Sequence, residues 1–127
     1  MNKLETGNKG EDLACKYLKE KGYRIIERNF RLPWGEIDII AKAPNKTVAF
    51  VEVKTMYNNS CIGSEICLMP EDQLSDSKLR KFKRIAEEYA NEFPVIIDDA
   101  AGWRLDLIAI SLNDKKNSIR HYENIDL

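Results

Sequence analysis

The sequence has little of several things that would settle its class early. Its three cysteines, Cys15, Cys61 and Cys67, are odd in number and form neither a CxxC pair nor a Cys/His zinc pattern. A reducing cytoplasm is therefore the expected setting. Long apolar runs are missing: stretches such as LDLIAI at Leu105–Ile110 are far too short to span a bilayer, so no membrane association is expected. The opening MNKLETGNKGEDL has no apolar core of a signal peptide. An excess of charge of one sign is missing too. Twenty basic against 21 acidic residues leave a net charge of −1, which supplies no general attraction for a polyanion. Any nucleic-acid binding has to come from local patches.

What remains is ordinary for a globular chain: 127 residues, 43% hydrophobic and 32% charged. That length can bury a core without disulfides or structural metal, and a single domain over 1–127 is expected. TGNKGEDLACKYLKEKGY reads as an amphipathic helix with Leu13, Ala14, Tyr17 and Leu18 inward, stopped by Gly22. YRIIERNFR (Tyr23 to Arg31) alternates like a strand, and Pro33 with Gly35 turns the chain into Glu36–Lys42 and Val48–Lys54. Pro44 and Asn45 between those strands predict a hairpin. TMYNNSCIGSEICLMPEDQLS is read as a long loop over one face, and loops of that length are often functional. After Asp76, Leu79, Phe82, Ile85, Ala86, Tyr89 and Ala90 recur at helical spacing until Pro94. WRLDLIAIS and IRHYE add two more strands, the second at an edge. The fold class is thus α/β of the α+β kind, a mixed sheet flanked by helices in the order α-β-β-β-α-β-β.

Carboxylates among apolar strand residues pose the functional question. Strand alternation puts Glu36, Asp38 and Ile40 on one face, and Val48, Phe50, Glu52 and Lys54 on one face of the next strand. If Asp38 lies opposite Glu52, then Lys42 lies opposite Val48, Ala43–Thr47 form the turn, and Glu36 lies opposite Lys54. Opposed Cβ atoms are roughly 4.5–5.5 Å apart, so the two acids repel unless a cation lies between them. Hard oxygen ligands favour Mg²⁺ or Mn²⁺. Lys54, about 6.5 Å beyond Glu52 on the same face, reaches towards a water or a phosphate oxygen. The competing reading is a hydrated sheet surface on which Glu36 pairs with Lys54. The apolar IDII and AFVEV favour strands buried on both faces, where unpaired acids are costly.

These residues also carry a resemblance. NKGEDLACKYLKEKGYRIIERNFR, GEIDIIA, VAFVEVKT, PEDQLSDSKLRKFKRIA and WRLDLIAI together resemble the YraN-like family of small uncharacterised proteins across nearly the whole chain. That family is similar to archaeal Holliday-junction resolvases, with the restriction-endonuclease-like fold and its D…ExK nuclease signature. The resemblance implies a metal-dependent endonuclease acting on DNA, with branched or Holliday-junction structures as candidate substrates. Asp38 and Glu52 would then be the Mg²⁺ or Mn²⁺ ligands and Lys54 the catalytic lysine. Glu11 matches a helix glutamate that joins the site in related resolvases. Met56, where relatives often carry a basic residue, and the long stretch between Lys54 and Pro70 depart from the pattern. The alternative is a nucleic-acid-binding or assembly module that keeps the fold without turnover.

Other candidates are weighed residue by residue. Asn8 and Glu11 have the spacing of a capping box, which gives Glu11 a structural role as well. KLRKFKR (Lys78 to Arg84) is mostly a solvated face, but Lys78 shares a stripe with Phe82 and Ile85 and is expected to lean towards the sheet and a phosphate. Arg28 and Arg31 extend a nucleic-acid track, and Tyr57 and Trp34 stack on bases or anchor the packing. Asp106 is expected to pair locally, with Arg104, and His121 to be structural or exposed. Resolving a junction requires cutting two strands, which would favour a symmetric homodimer.

Overall fold

The computed structural model describes residues 2–57 and 74–126. Its elements follow the expected order: α1 (Lys3–Glu20), β1 (Arg24–Leu32), β2 (Gly35–Lys42), β3 (Val48–Tyr57), α2 (Asp76–Glu92), β4 (Trp103–Leu112) and β5 (Ser118–Tyr122). Thr55–Tyr57, expected in a loop, continue β3 instead. Most of the expected loop, with Cys61 and Cys67, lies outside the described residues.

α1 starts earlier than its apolar periodicity suggests. The Asn2 side chain accepts the Glu5 N–H at 2.8 Å while its amide donates to Glu5 Oε1 at 3.2 Å, a reciprocal cap. Asn8 and Glu11 therefore sit inside the helix, and the capping role considered for Glu11 does not apply. At the other end Gly22 takes φ 90°. Its N–H reaches Lys19 O at 3.0 Å and that of Tyr23 reaches Leu18 O at 2.9 Å, satisfying carbonyls that the helix leaves open. α2 is capped by the Ser75 hydroxyl, which accepts the Lys78 N–H at 3.2 Å.

The sheet has five strands in the order β1-β2-β3-β4-β5, with β3 and β4 parallel and the other neighbours antiparallel. The β2–β3 hairpin has the expected register, Lys42 opposite Val48, and its turn is closed by Ala43 N–H on Thr47 O at 2.8 Å. α1 covers one face, where Ala14, Leu18, Ile39, Ala41, Ala49, Val51, Ile108 and Ile110 are buried together. α2 covers the other with Phe82, Ile85 and Tyr89 over Ile37, Ile40, Val48, Phe50 and Leu105. Each large apolar side chain so enclosed stabilises the fold by about 1.5–3 kcal/mol before entropy is counted.

Besides a bulge on β1 between Ile25 and Glu27, strict alternation fails around Asn29 and Asp38. Ile37 packs on the α2 side and Ile39 on the α1 side, although residues two apart should share a face. On β1, Arg28 reaches α1 while Phe30 packs under α2, and between them Asn29 has φ 55°. β1 and β2 therefore change face together, about Asn29 and Asp38. The expected sharing of one face by Glu36, Asp38 and Ile40 is corrected accordingly. Asn tolerates the left-handed conformation better than other residues with a Cβ, so the inversion occurs there.

Candidate active site

The β2–β3 ladder ends at Ile39 opposite Val51. One step on, the same register would set Asp38 against Glu52, but here the strands part. The Asp38 carboxylate enters the gap, and its Oδ2 accepts the Val53 backbone N–H at 2.8 Å. Only 9% of Asp38 is exposed. Burial, then the charge of Glu52, push its pKa up to about 8, with Glu11 and Glu36 adding to the rise and the Val53 N–H opposing it. Three acids, one each from α1, β2 and β3, thus act electrostatically on one carboxyl group.

Glu52 and Lys54 share a face, as expected from their spacing. Lys54 Nζ lies 3.2 Å from Glu52 Oε1, with both side chains about one-fifth exposed. They line a cavity of about 270 Å³ together with Glu36, Lys78 and Lys81. Glu36 does not pair with Lys54: its Oε2 accepts Arg31 Nε at 3.0 Å. The expected pairing is lost because β2 and β3 have already separated, while β1 and β2 remain in register with Arg31 opposite Glu36.

Glu11 approaches from α1. Gly10 allows this, since a Cβ there would stand 1.8 Å from Thr55 Oγ1, so the helix lies directly on β3. Glu11 Oε1 is buried without a hydrogen-bond partner. Its nearest cation, Arg28, is 3.7 Å away and donates instead to Asp12 at 3.0 Å. Burial raises the Glu11 pKa, Arg28 partly lowering it. Glu11 opens, with Asn29, Arg31 and Glu36, onto a second cavity of about 500 Å³.

The donor chemistry suits a hard divalent ion. Asp38 and Glu52 are neighbouring oxygen donors, and Glu11 holds an orphaned buried oxygen. Yet among the described residues no three His, Cys, Asp or Glu side chains are grouped closely enough to hold a metal. An ion would therefore depend on Asp38 and Glu52, with water or substrate oxygens as the remaining ligands.

The other candidates fall into place around this centre. Lys78 is exposed on the α2 side of the cavity, where it was expected. Lys81 was missed, though it lies one turn after Lys78 on the same face. Gly35 lets it in, because a Cβ there would meet Lys81 Cε at 2.9 Å and Ile85 Cδ1 at 2.6 Å. Arg28 and Arg31 are engaged by Asp12 and Glu36, and the Tyr57 hydroxyl donates to Asp114. Trp34 packs against the α2 core with Arg84 5.1 Å over its ring.

Asp106 is fully buried and pairs with Arg104 at 2.9 Å, as expected, and also with His121 Nε2 at 2.8 Å and the Asn124 N–H at 3.0 Å. His121 Nδ1 in turn lies 3.2 Å from the Tyr17 hydroxyl. This network ties β4 to α1 and to the chain after β5. Among the described residues no helix is long and apolar enough to cross a membrane.

Comparison with known proteins places the chain. Residues 10–110 match the model of the uncharacterised protein family UPF0102. A UPF0102 protein of Thermodesulfovibrio yellowstonii is 42% identical, the match covering 98% of this chain and 97% of that one. UPF0102 proteins of Alkaliphilus oremlandii and Fervidobacterium nodosum are each 40% identical over 98% of this chain, and over 98% and 87% of their own lengths. The chain therefore belongs to the uncharacterised protein family UPF0102, the YraN-like family that its motifs resemble.

Proposed function

We propose that this protein is a cytoplasmic metal-dependent nuclease acting on DNA, with branched structures as the favoured substrates. The observation that carries this proposal is the buried Asp38 carboxyl, pushed up to about pKa 8 beside Glu52, with Lys54 Nζ 3.2 Å from Glu52. Carboxyl groups so perturbed by burial and a like charge cluster at functional sites. Asp38 and Glu52 would hold Mg²⁺ or Mn²⁺, which when bound supplies Lewis acidity towards the scissile phosphate. Asp38 would have to lose its proton before it could hold the ion. Lys54 turns its ammonium from Glu52 towards the phosphoryl oxygens and offsets the negative charge that develops on them. Lys78 and Lys81 hold neighbouring phosphates in register. Glu11, close enough to raise the Asp38 pKa, keeps an oxygen free for a water. Arg28 positions Glu11, while Arg31 and Tyr57 flank the substrate path. Two such sites in a homodimer would cut paired strands.

The test is incubation with branched, duplex and single-stranded DNA in Mg²⁺ and in Mn²⁺. Metal-dependent cleavage lost in both Asp38→Ala and Lys54→Ala supports the assignment, and cleavage that survives them rejects it. A non-catalytic nucleic-acid-binding module is the second reading, favoured by the lack of a three-ligand group among the described residues. Calorimetry with Mn²⁺ separates the two: no heat of binding, with or without DNA, leaves only the module.

A further inference from the structure

Several basic residues of this surface are countered locally, as Arg28 is by Asp12, Arg31 by Glu36 and Lys83 by Asp126. The groove between α1 and β1 sets Lys16, Lys19 and Arg28 against Asp12 and Glu20. A cavity of about 360 Å³ at the far end of β3 differs: Lys9, Lys115 and Lys116 line it, with Asp114 its one acidic lining residue among those described. The Asp114 carboxylate accepts the Tyr57 hydroxyl, so hydrogen bonding already engages it.

The fold fixes where these lysines stand. Tyr57 pairs with Leu112 across the parallel β3–β4 ladder, so the turn after β4 begins beside the strand that carries Glu52 and Lys54. Tyr57 is three residues past Lys54, about 10 Å along that strand. The turn is closed on itself: Asn113 Oδ1 accepts the Lys115 N–H at 2.9 Å, and Asn117 Oδ1 accepts the Asn113 N–H at 3.2 Å. Lys115 and Lys116 thus project from a fixed backbone. Lys9 joins them because its neighbour Gly10 lies against Thr55 of β3.

Lys78 and Lys81 belong to α2 and line the cavity of Glu52 and Lys54, whereas Lys9 belongs to α1 and Lys115 and Lys116 to the turn after β4, at the end of the sheet where β3 finishes. We infer that Lys9, Lys115 and Lys116 form a second contact for the phosphodiester backbone, so that the nucleic acid crosses the end of the sheet and is held on both sides of the carboxylate centre. This inference rests on the nuclease reading and specifies its substrate as a backbone that continues past the site. A net charge of −1 is compatible with binding, because the contact needs only a local group of cations.

The test is the salt dependence of binding to fluorescein-labelled duplex DNA in EDTA, followed by anisotropy, for the wild type, the K9S/K115S/K116S variant and a K16S/K19S control. Each phosphate neutralised contributes about 0.9 to the slope of log K against log salt concentration, so the triple variant should have a slope shallower by about 2.7 and the control an unchanged one. A decrease smaller than about 1.8, or an equal decrease in the control, overturns the inference. If the triple variant binds like the wild type while the wild type still cleaves, this contact alone fails. Absence of both binding and cleavage in the wild type removes the nuclease reading itself. Circular dichroism melting of each variant excludes misfolding as the cause of a weaker slope.

Discussion

The Asp38 carboxylate accepts the Val53 N–H at 2.8 Å, immediately beyond the last β2–β3 ladder pair, Ile39 and Val51. Asp38 in the fold keeps its proton to about pH 8, whereas an ordinary Asp releases it near 3.8. The folded state therefore binds more protons than the unfolded state across that window, and this group's contribution to stability is lost as pH rises through it. Asn retains the acceptor for Val53 but cannot ionise. The D38N variant should melt with the wild type near pH 4 and above it by several degrees at pH 8.5, the difference being on the order of a few kcal/mol. Thermal melts across this range check it, and a constant offset would reject the assignment.

The same proton competes with a metal. Mn²⁺ affinity should rise about tenfold per pH unit up to about pH 8 and level off above it, with close to one proton released per ion bound below that point. Calorimetry in buffers of different ionisation enthalpy counts the protons. Pairing Asp38 with a metal without proton release would contradict the proposed ligand set.

Asp106 is also a buried strand aspartate, with the opposite shift. Burial alone would raise its pKa, but hydrogen bonds from His121, Arg104 and the Asn124 N–H outweigh that and hold it below the ordinary value. Its contribution is present above about pH 4 and is lost as pH falls through the depressed pKa. Asp106→Asn should cost about 3 kcal/mol at pH 7, because it leaves Arg104 poorly paired, and the deficit should shrink below pH 4. Urea unfolding at both pH values measures it.

Gly10→Ala would place a Cβ 1.8 Å from Thr55 Oγ1 and 2.8 Å from Thr55 Cβ, and rotating the Thr side chain leaves the second contact in place. A loss of about 1–3 kcal/mol is expected, with partial recovery on adding Thr55→Ala. Equal stability of the single variant and wild type would show that α1 can ride higher on β3 at no cost.

Lys54 and the α2 lysines should separate kinetically. Lys54→Ala should reduce kcat by about 100-fold or more with little change in DNA affinity. A K78S/K81S variant should mainly raise KM and flatten its salt dependence. Identical effects from both would mean that Lys54 only binds.

Much of this was legible because hydrophobic period and turn residues determine element type and register. Pro44 and Asn45 marked the hairpin, and its register, Lys42 opposite Val48, followed from setting Asp38 against Glu52. What stayed hidden were tertiary events without a local pattern. A positive φ at Asn29 inverts two strands, yet Asn in a strand run is no signal by itself. The partner chosen by Glu36 depended on where β2 leaves β3, which no period encodes. Arg104 could be paired with Asp106 from their spacing, but His121 lies 15 residues on and only the β4–β5 hairpin brings it back. Lys9 and the lysines of the turn meet across the fold for the same reason.

The gap between β2 and β3 has a mechanical consequence. It is wedged open by one side chain, whose tip bridges to the neighbouring backbone at Val53. The spacing of the two strands at that point is metered by the length of an aspartate rather than by the sheet. Replacing it with glutamate would keep the charge and the hydrogen-bonding group, yet insert one more methylene into the wedge. The mildest chemical exchange available at Asp38 is therefore a change of gauge, and would move Glu52 and Lys54 relative to everything β2 carries.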